Sequence, residues 1–291
     1  MTATPQGLPA PLGFVEPHAA MLTVPPDGQL LYKMMTVENS LRSFAGGYMH
    51  FNRVDSYTDF PNADAHDGQQ LPRDRHGNAE ARFAKSPEFS GANYYDLSRS
   101  RTYACCFSME NSEFIWKNFA NGSQKGKVCI VVDFAKLRAT LSRTFQAGNA
   151  ALEYNGSRCR QIFSVNYGIV EYVDWDEHQA NTGHLPNPIT YTYLKDKRFA
   201  QERELRVSLS TLGLGQFVLN DGSPMDFPKS LHADFDFRAA NADGTIQQVL
   251  CAPECDLDFF YSELYKLGIE LAPGSDMPSH KIRGKVAPPS R

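Results

Sequence analysis

The sequence predicts an α+β fold, and three observations carry that prediction. Apolar runs occur both at strand period and at helix period, but the two kinds do not alternate regularly along the chain. No glycine-rich phosphate loop opens a helix, which argues against a doubly wound nucleotide-binding sheet. The chain has 291 residues, 42% of them hydrophobic and 21% charged, an ordinary globular composition with enough length for a substantial core.

The elements follow in order. A Pro-, Ala- and Gly-rich stretch over 1–28 is expected to be a flexible arm. Leu30 to Lys33 predicts a short first strand, and Thr36 caps a helix with Val37, Leu41 and Phe44 on one face, closed by Gly46-Gly47. Tyr48 to Val54 alternates like a strand. From Asp55 to about Arg99 the chain is polar, rich in Asp, Asn, Gly, His and Arg, and predicts a long loop that serves as a mobile lid. Arg101 to Ser108 predicts a buried strand, Glu113 to Ala120 a helix, Lys127 to Phe134 a central strand and Ala135 to Phe145 a helix. Ser164 to Val173 and Leu205 to Ser210 predict strands, and Gln216 to Leu219 and Ile246 to Leu250 shorter ones. Asp256 starts a last helix carrying Leu257, Phe260, Tyr261, Leu264 and Leu267. One domain over 29–275 is therefore expected, followed by a flexible tail over 276–291.

The formal net charge is −4, so no general basic field is available to hold nucleic acid. Arg73, Arg75, Arg82 and Lys85 form a local basic cluster whose plainer explanation is a solvated loop. Six cysteines, three of them in apolar strand-like runs and none at metal-ligand spacing, suit a reducing compartment. The first residues have neither the basic start nor the apolar centre of a signal peptide, and no run reaches the roughly 18 apolar residues of a membrane span. A cytoplasmic protein is expected, and export as an effector would leave no trace in such a sequence.

The stretch Lys195 to Leu209 is the most informative. On one strand, Leu205, Val207 and Leu209 point into a core, and Glu202, Glu204 and Arg206 point the other way. Carboxylates two residues apart on one face repel each other. They are exposed, paired with cations or held to do chemistry. A salt-bridged, half-exposed sheet face accounts for the spacing equally well.

Several segments in order resemble the bacterial family catalogued as domain of unknown function 2971. They are Leu31-Tyr32-Lys33 before a helix, Tyr57-Thr58-Asp59, Cys106-Phe107-Ser108, Trp116-Lys117-Asn118-Phe119-Ala120, Gly126-Lys127-Val128-Cys129-Ile130, and Glu202-Arg203-Glu204-Leu205-Arg206. The layout is also similar to the ADP-ribosyltransferase fold, which implies a split antiparallel β-sandwich with flanking helices. That resemblance implies Tyr32 and Lys33 on the first strand, Ser108 on a second and Glu204 on a third. A Lys stands here where that fold carries His or Arg.

The resemblance further implies NAD as substrate, without a metal. Glu204 would stabilise the oxocarbenium-like ribose, Glu202 would orient or deprotonate the acceptor, and Ser108 would hydrogen-bond the ribose or the amide. Tyr32 and Lys33 would hold the adenosine or diphosphate side, Tyr57 or Trp116 would stack on nicotinamide, and Arg206 would neutralise the carboxylates or bind diphosphate. The acceptor is left open among protein, DNA, RNA and nucleotide, as is an inhibitory partner protein. A structural role is available to each residue: strand surface for Lys33, strand end for Ser108, core anchor for Trp116 and salt bridge for Arg206. Two other functions compete with this one. The first is a non-catalytic sensor or partner-binding module. The second is a metal-dependent nuclease using the Asp/His-rich loop, with Asp55, Asp59, Asp64, His66 and Asp67, together with Glu202 and Glu204.

Overall fold

The computed structural model describes residues 22–59, 63–83, 86–145, 152–154, 157–159, 163–180, 189–211, 217–218, 223–225 and 227–270. The N-terminal half comprises β1 (Leu30–Thr36), α1 (Val37–Gly46), β2 (Tyr48–Arg53), α2 (Pro72–Glu80), β3 (Arg82–Phe83), β4 (Ser86–Ser90), α3 (Gly91–Arg99), β5 (Thr102–Ser108), α4 (Glu113–Asn118), β6 (Lys127–Asp133) and α5 (Phe134–Thr144). There follow β7 (Leu152–Tyr154), β8 (Ser157–Cys159), β9 (Phe163–Ile169), β10 (Glu171–Val173), α6 (Ile189–Thr192), β11 (Leu194–Asp196) and β12 (Glu204–Thr211). The chain closes with β13 (Phe217–Val218), β14 (Pro224–Met225), β15 (Ser230–Asp234), α7 (Phe237–Ala242), β16 (Ile246–Cys251) and α8 (Leu257–Lys266).

Among the described residues, ten strands form one antiparallel sheet in the order β16-β6-β1-β5-β2-β15-β7-β8, with β12 on β5 and β9 on β12. The fold is mixed, with antiparallel sheets and flanking helices, as the α+β expectation requires. No described helix is long and apolar enough to cross a membrane.

The sheet forks at β5. One edge of β5 is paired along its length with β12, from Glu204 opposite Ser108 to Ser210 opposite Thr102. Its other edge is shared: Ser108 pairs with Tyr32 of β1, whereas Ala104 and Tyr103 pair with Asn52 and Arg53 of β2. Between the two branches Lys33 donates from Nζ to the Cys106 carbonyl oxygen at 2.9 Å, and its ammonium lies 5.5 Å from the Phe107 ring centre. An unpaired backbone carbonyl at a split is costly, and Lys33 satisfies it.

The two faces of the sheet differ in character. Leu31, Phe107, Val132, Leu205, Val207 and Leu209 belong to a large aliphatic and aromatic core that also contains Phe44 of α1, Leu137 of α5, Phe237 of α7 and Phe260 of α8. The helix ends follow their sequence signals. Thr36 Oγ1 accepts from Asn39 N, Gly47 closes α1 at φ +62°, and Asp256 caps α8. The other face is apolar under α4, where Ile115 and Trp116 pack with Cys129, Val131 and Leu250.

Over β5, β12 and β9 that second face is covered by the described residues of 54–59, 63–83, 86–101, 171–180 and 189–203. The loop expected over Asp55–Arg99 is in fact largely ordered, as a 3-10 turn, α2, the β3–β4 hairpin and α3. Its order comes from polar contacts that hydrophobic periodicity does not register. Arg75 forks onto Asp96, Gln70 bonds Asp96 and Asn78, and Ser90 with Asn93 forms a capping box. A small core of Leu71, Tyr95, Val173, Trp175, Tyr191 and Leu194 joins this segment to β10 and β11.

The strand expected over Ser164–Val173 breaks at Val170. There the backbone changes partners, Val170 N donating to Glu204 O and Glu171 N to Tyr193 O. Of the arm expected over 1–28, residues 1–21 lie outside the described residues. Leu22, by contrast, is buried with Ile189 and Tyr193, and Thr23 bridges Ile169. The tail expected over 276–291 also lies outside the described residues.

Candidate functional site

Register brings three distant residues into one row. Tyr32 on β1 and Glu204 on β12 both pair with Ser108 on β5, so the three lie on adjacent strands and share a face. One step along, Cys106 is opposite Arg206. Tyr57 comes over β5 from the 3-10 turn after β2, its hydroxyl 3.2 Å from Cys106 Sγ and 3.3 Å from the Ala104 carbonyl oxygen.

Arg206 is the centre of this face and is fully buried. One edge of its guanidinium holds Glu204, with Nε 2.5 Å from Oε1 and Nη2 3.1 Å from Oε2. The other edge holds Asp67, with Nη1 2.5 Å from Oδ1 and Nη2 2.7 Å from Oδ2. Nη1 also donates to the Thr192 carbonyl at 2.7 Å. All five donors are used, which suits a guanidinium taken out of water. Lys195 extends the chain of charges, with Nζ 2.5 Å from Glu202 Oε2, 3.3 Å from Glu204 Oε2 and 3.9 Å from Asp67 Oδ2. The Tyr172 hydroxyl accepts from Glu204 N at 2.9 Å.

Glu202 is not on the strand, contrary to the alternation expected from sequence. It ends a 3-10 turn over Lys197–Glu202, capped by Asp196, and Arg203 then takes the left-handed conformation at φ 48° before β12 begins. That reversal is unfavourable for a non-glycine residue and concentrates at functional or tightly constrained places. Here it brings Glu202 back beside Glu204, with Lys195 between them.

The network holds two cations, Lys195 and Arg206, against three carboxylates, Asp67, Glu202 and Glu204. Burial would raise Glu204, but Arg206 and then Lys195 outweigh it and hold that carboxyl well below the usual range. Glu202 moves the other way: burial, reinforced by the Glu204 charge, pushes it up to about 7 against the pull of Lys195. Lys195 is raised because Glu204, Asp67 and Glu202 together more than offset its burial. Of Glu202 and Glu204, Glu202 is thus the one that takes up a proton near neutrality, and that proton brings the charges of the set towards balance. Two carboxylates pushed apart in this way are a recurrent acid–base arrangement.

The residues expected at the site divide into two groups. Tyr32, Tyr57, Ser108, Glu202, Glu204 and Arg206 meet on one face. Trp116 packs in the cluster against which Tyr32 rests and donates from Nε1 to Asn111 Oδ1 at 2.7 Å, so it is anchored as a core residue. Lys33 sits in the fork with its ammonium on Cys106 O, beside the Phe107 ring of the aliphatic face. Ser108 Oγ donates to Glu110 O at 2.9 Å and accepts from Glu110 N at 3.2 Å, turning the chain as it leaves β5.

Asp67 and Lys195 are the members that sequence reasoning did not assign to the site. Lys195 opens the stretch Lys195 to Leu209, so its charge in the same short stretch as two acids is the available signal. Nothing local distinguished Asp67 from Asp55 or Asp64. Among the described residues no group of three or more His, Cys, Asp or Glu is arranged to hold a metal ion. Of the basic cluster, Arg73 pairs with Glu177, Arg75 with Asp96, and Lys85 lies outside the described residues. A concavity lined by Arg238, Asn241, Tyr265 and Glu270, beside α7 and α8, contains none of the network.

No protein-family model, curated protein or solved structure matches this chain.

Proposed function

We propose that the protein is an NAD-consuming ADP-ribosyltransferase of the toxin, effector or antiviral-defence kind, acting in the cytoplasm. The kinship with domain of unknown function family 2971 and with the split antiparallel sheet of ADP-ribosyltransferases belongs to the same proposal. The observation that carries it is the row Tyr32–Ser108–Glu204 across β1, β5 and β12, next to a carboxyl poised to exchange a proton.

In this reaction the bond between nicotinamide nitrogen and ribose C1′ breaks, its electron pair leaving with nicotinamide. Positive charge develops on the ribose, and the Glu204 carboxylate, ionised at all ordinary pH, stabilises it in a water-poor setting. A lone pair of the acceptor forms the new bond to C1′, and the acceptor's proton passes to Glu202. Ser108 and Tyr32 orient the ribose, and Arg206 fixes Glu204 and meets the diphosphate. Release of nicotinamide from NAD tests the reading. Wild-type protein is expected to release it over many turnovers, and folded Glu204→Gln to lose at least about a hundredfold of that rate. Absence of release by the wild type removes the proposal.

One observation favours a second reading. Both Glu204 oxygens are already engaged by Arg206 and Lys195, as in a charge cluster that fixes a binding module. A sensor of this kind leaves NAD intact, and its ligand or partner is recovered by binding alone.

A further inference from the structure

We infer that Asp67 is an internal stand-in for the diphosphate of a nucleotide ligand, seated on the outer edge of the Arg206 guanidinium and displaced when that ligand binds. The inference rests on the proposed site and adds which ligand group occupies which side chain, and what leaves to admit it.

The two carboxylates on Arg206 are not equivalent. Glu204 is two residues away on the same strand, its backbone fixed in the β5–β12 ladder and its carboxylate also held by Lys195. Asp67 comes from a turn 139 residues away in sequence, on the polar segment that covers the sheet. It sits on the Nη1–Nη2 edge in the two-point geometry that a phosphate group also adopts on a guanidinium.

The turn carrying Asp67 is held by polar groups and by the stack of His66 on Trp175. Arg99 donates from Nε to Asp67 O at 2.7 Å and from Nη2 to Ala65 O at 3.2 Å, and His66 N donates to Asp64 Oδ1 at 2.9 Å. Docking is incompletely satisfied, because Asp64 Oδ2 is buried and has no hydrogen-bond partner among the described residues. Gly68, directly after Asp67, has φ +70° and lies so close to Val54 that a Cβ there would meet Val54 Cγ1 at 2.5 Å, so the turn is built on a glycine.

Charge supports the exchange. Without Asp67 the outer edge of the Arg206 guanidinium would be left with no anion, beside Lys195 and a Glu202 that exchanges its proton near neutrality. A diphosphate supplies that anion. It would then lie on the row's own strand, one register step from Glu204, where the linked ribose reaches Ser108.

The test is equilibrium titration with ADP-ribose, read by calorimetry, on the full chain. Asp67→Asn is expected to bind ADP-ribose at least about tenfold more tightly than wild type, since the internal competitor has lost its charge. Equal or weaker binding by a folded Asp67→Asn protein overturns the inference. A second readout needs no variant: in wild type, ADP-ribose is expected to speed amide hydrogen exchange over residues 64–71 while slowing it over 204–208. Slower or unchanged exchange at 64–71 in the bound state overturns it as well. Tighter ADP-ribose binding by Asp67→Asn with no nicotinamide release by wild type would keep the diphosphate seat and remove the transferase reading. Release without the affinity gain would do the reverse.

Discussion

The two faces of β12 are built from alternate residues of one strand, and they obey different rules. Leu205, Val207 and Leu209 enter the aliphatic core, where any side chain of similar volume would fit approximately. Glu204, Arg206 and Ser208 enter a sealed polar layer in which each donor has a specified acceptor: Arg206 reaches Asp67, Thr192 and Glu204, and Ser208 Oγ lies 2.9 Å from the Tyr193 hydroxyl. Burying a guanidinium with two carboxylates is at best neutral for stability compared with a packed apolar equivalent. The proposed function asks for such a layer, because it needs Glu204 held in one position.

Experiments that break this comparison rank by expected size. Arg206→Met removes the cation from between two buried carboxylates and is expected to cost about 3–5 kcal/mol, measured by urea unfolding. Leu205→Ala, one residue away on the other face, is expected to cost about 3 kcal/mol through its cavity, with the pH dependence of stability unchanged. Equal pH profiles for both variants would mean that the polar layer is no more than another core.

The sign of the pH effect sharpens the contrast. Glu202 titrates at about 7 in the folded protein against 4.5 when unfolded, so its protonated form is favoured by folding. Its contribution is full below pH 4.5 and is lost as pH rises from there to about 7. Glu202→Gln imitates the protonated acid. It is therefore expected to be more stable than wild type at pH 8, by the order of 1–3 kcal/mol, with the difference vanishing near the unfolded value. His50 works in the opposite direction: burial lowers its pKa from 6.5, so its contribution is present above that pH and is lost below it.

The smallest effect is expected at the fork. Lys33→Met leaves the Cys106 carbonyl without its ammonium partner, costing about 1 kcal/mol or a few degrees of melting temperature. Nicotinamide release should persist in this variant, because Lys33 serves the split in the sheet and lies off the row.

The sequence made the aliphatic face legible and left the polar one mostly unread. Period-2 alternation placed Leu205, Val207 and Leu209 in the core, and cap residues such as Thr36 and Asp256 located helix starts, because those signals are local. The pairing of Tyr32, Ser108 and Glu204 was anticipated through resemblance; no spacing along the chain encodes it. Asp67 was unreadable because its partner is 139 residues away. The order of α2 and α3 was missed for a related reason: Asp96, Gln70 and Asn78 hold those helices through side-chain bonds, which leave no apolar period. Glu202 was placed on the wrong element because nothing in Glu202-Arg203-Glu204 announces a left-handed arginine.

The most direct test of the central claim is a structure of the protein with NAD. The account expects the nicotinamide ribose at the shared end of β1, β5 and β12, with C1′ facing Glu204, Ser108 alongside, and the diphosphate on Arg206. A dinucleotide bound instead in the concavity beside Arg238 and Tyr265, or not bound at all with the Asp67–Arg206 pair intact, would contradict it.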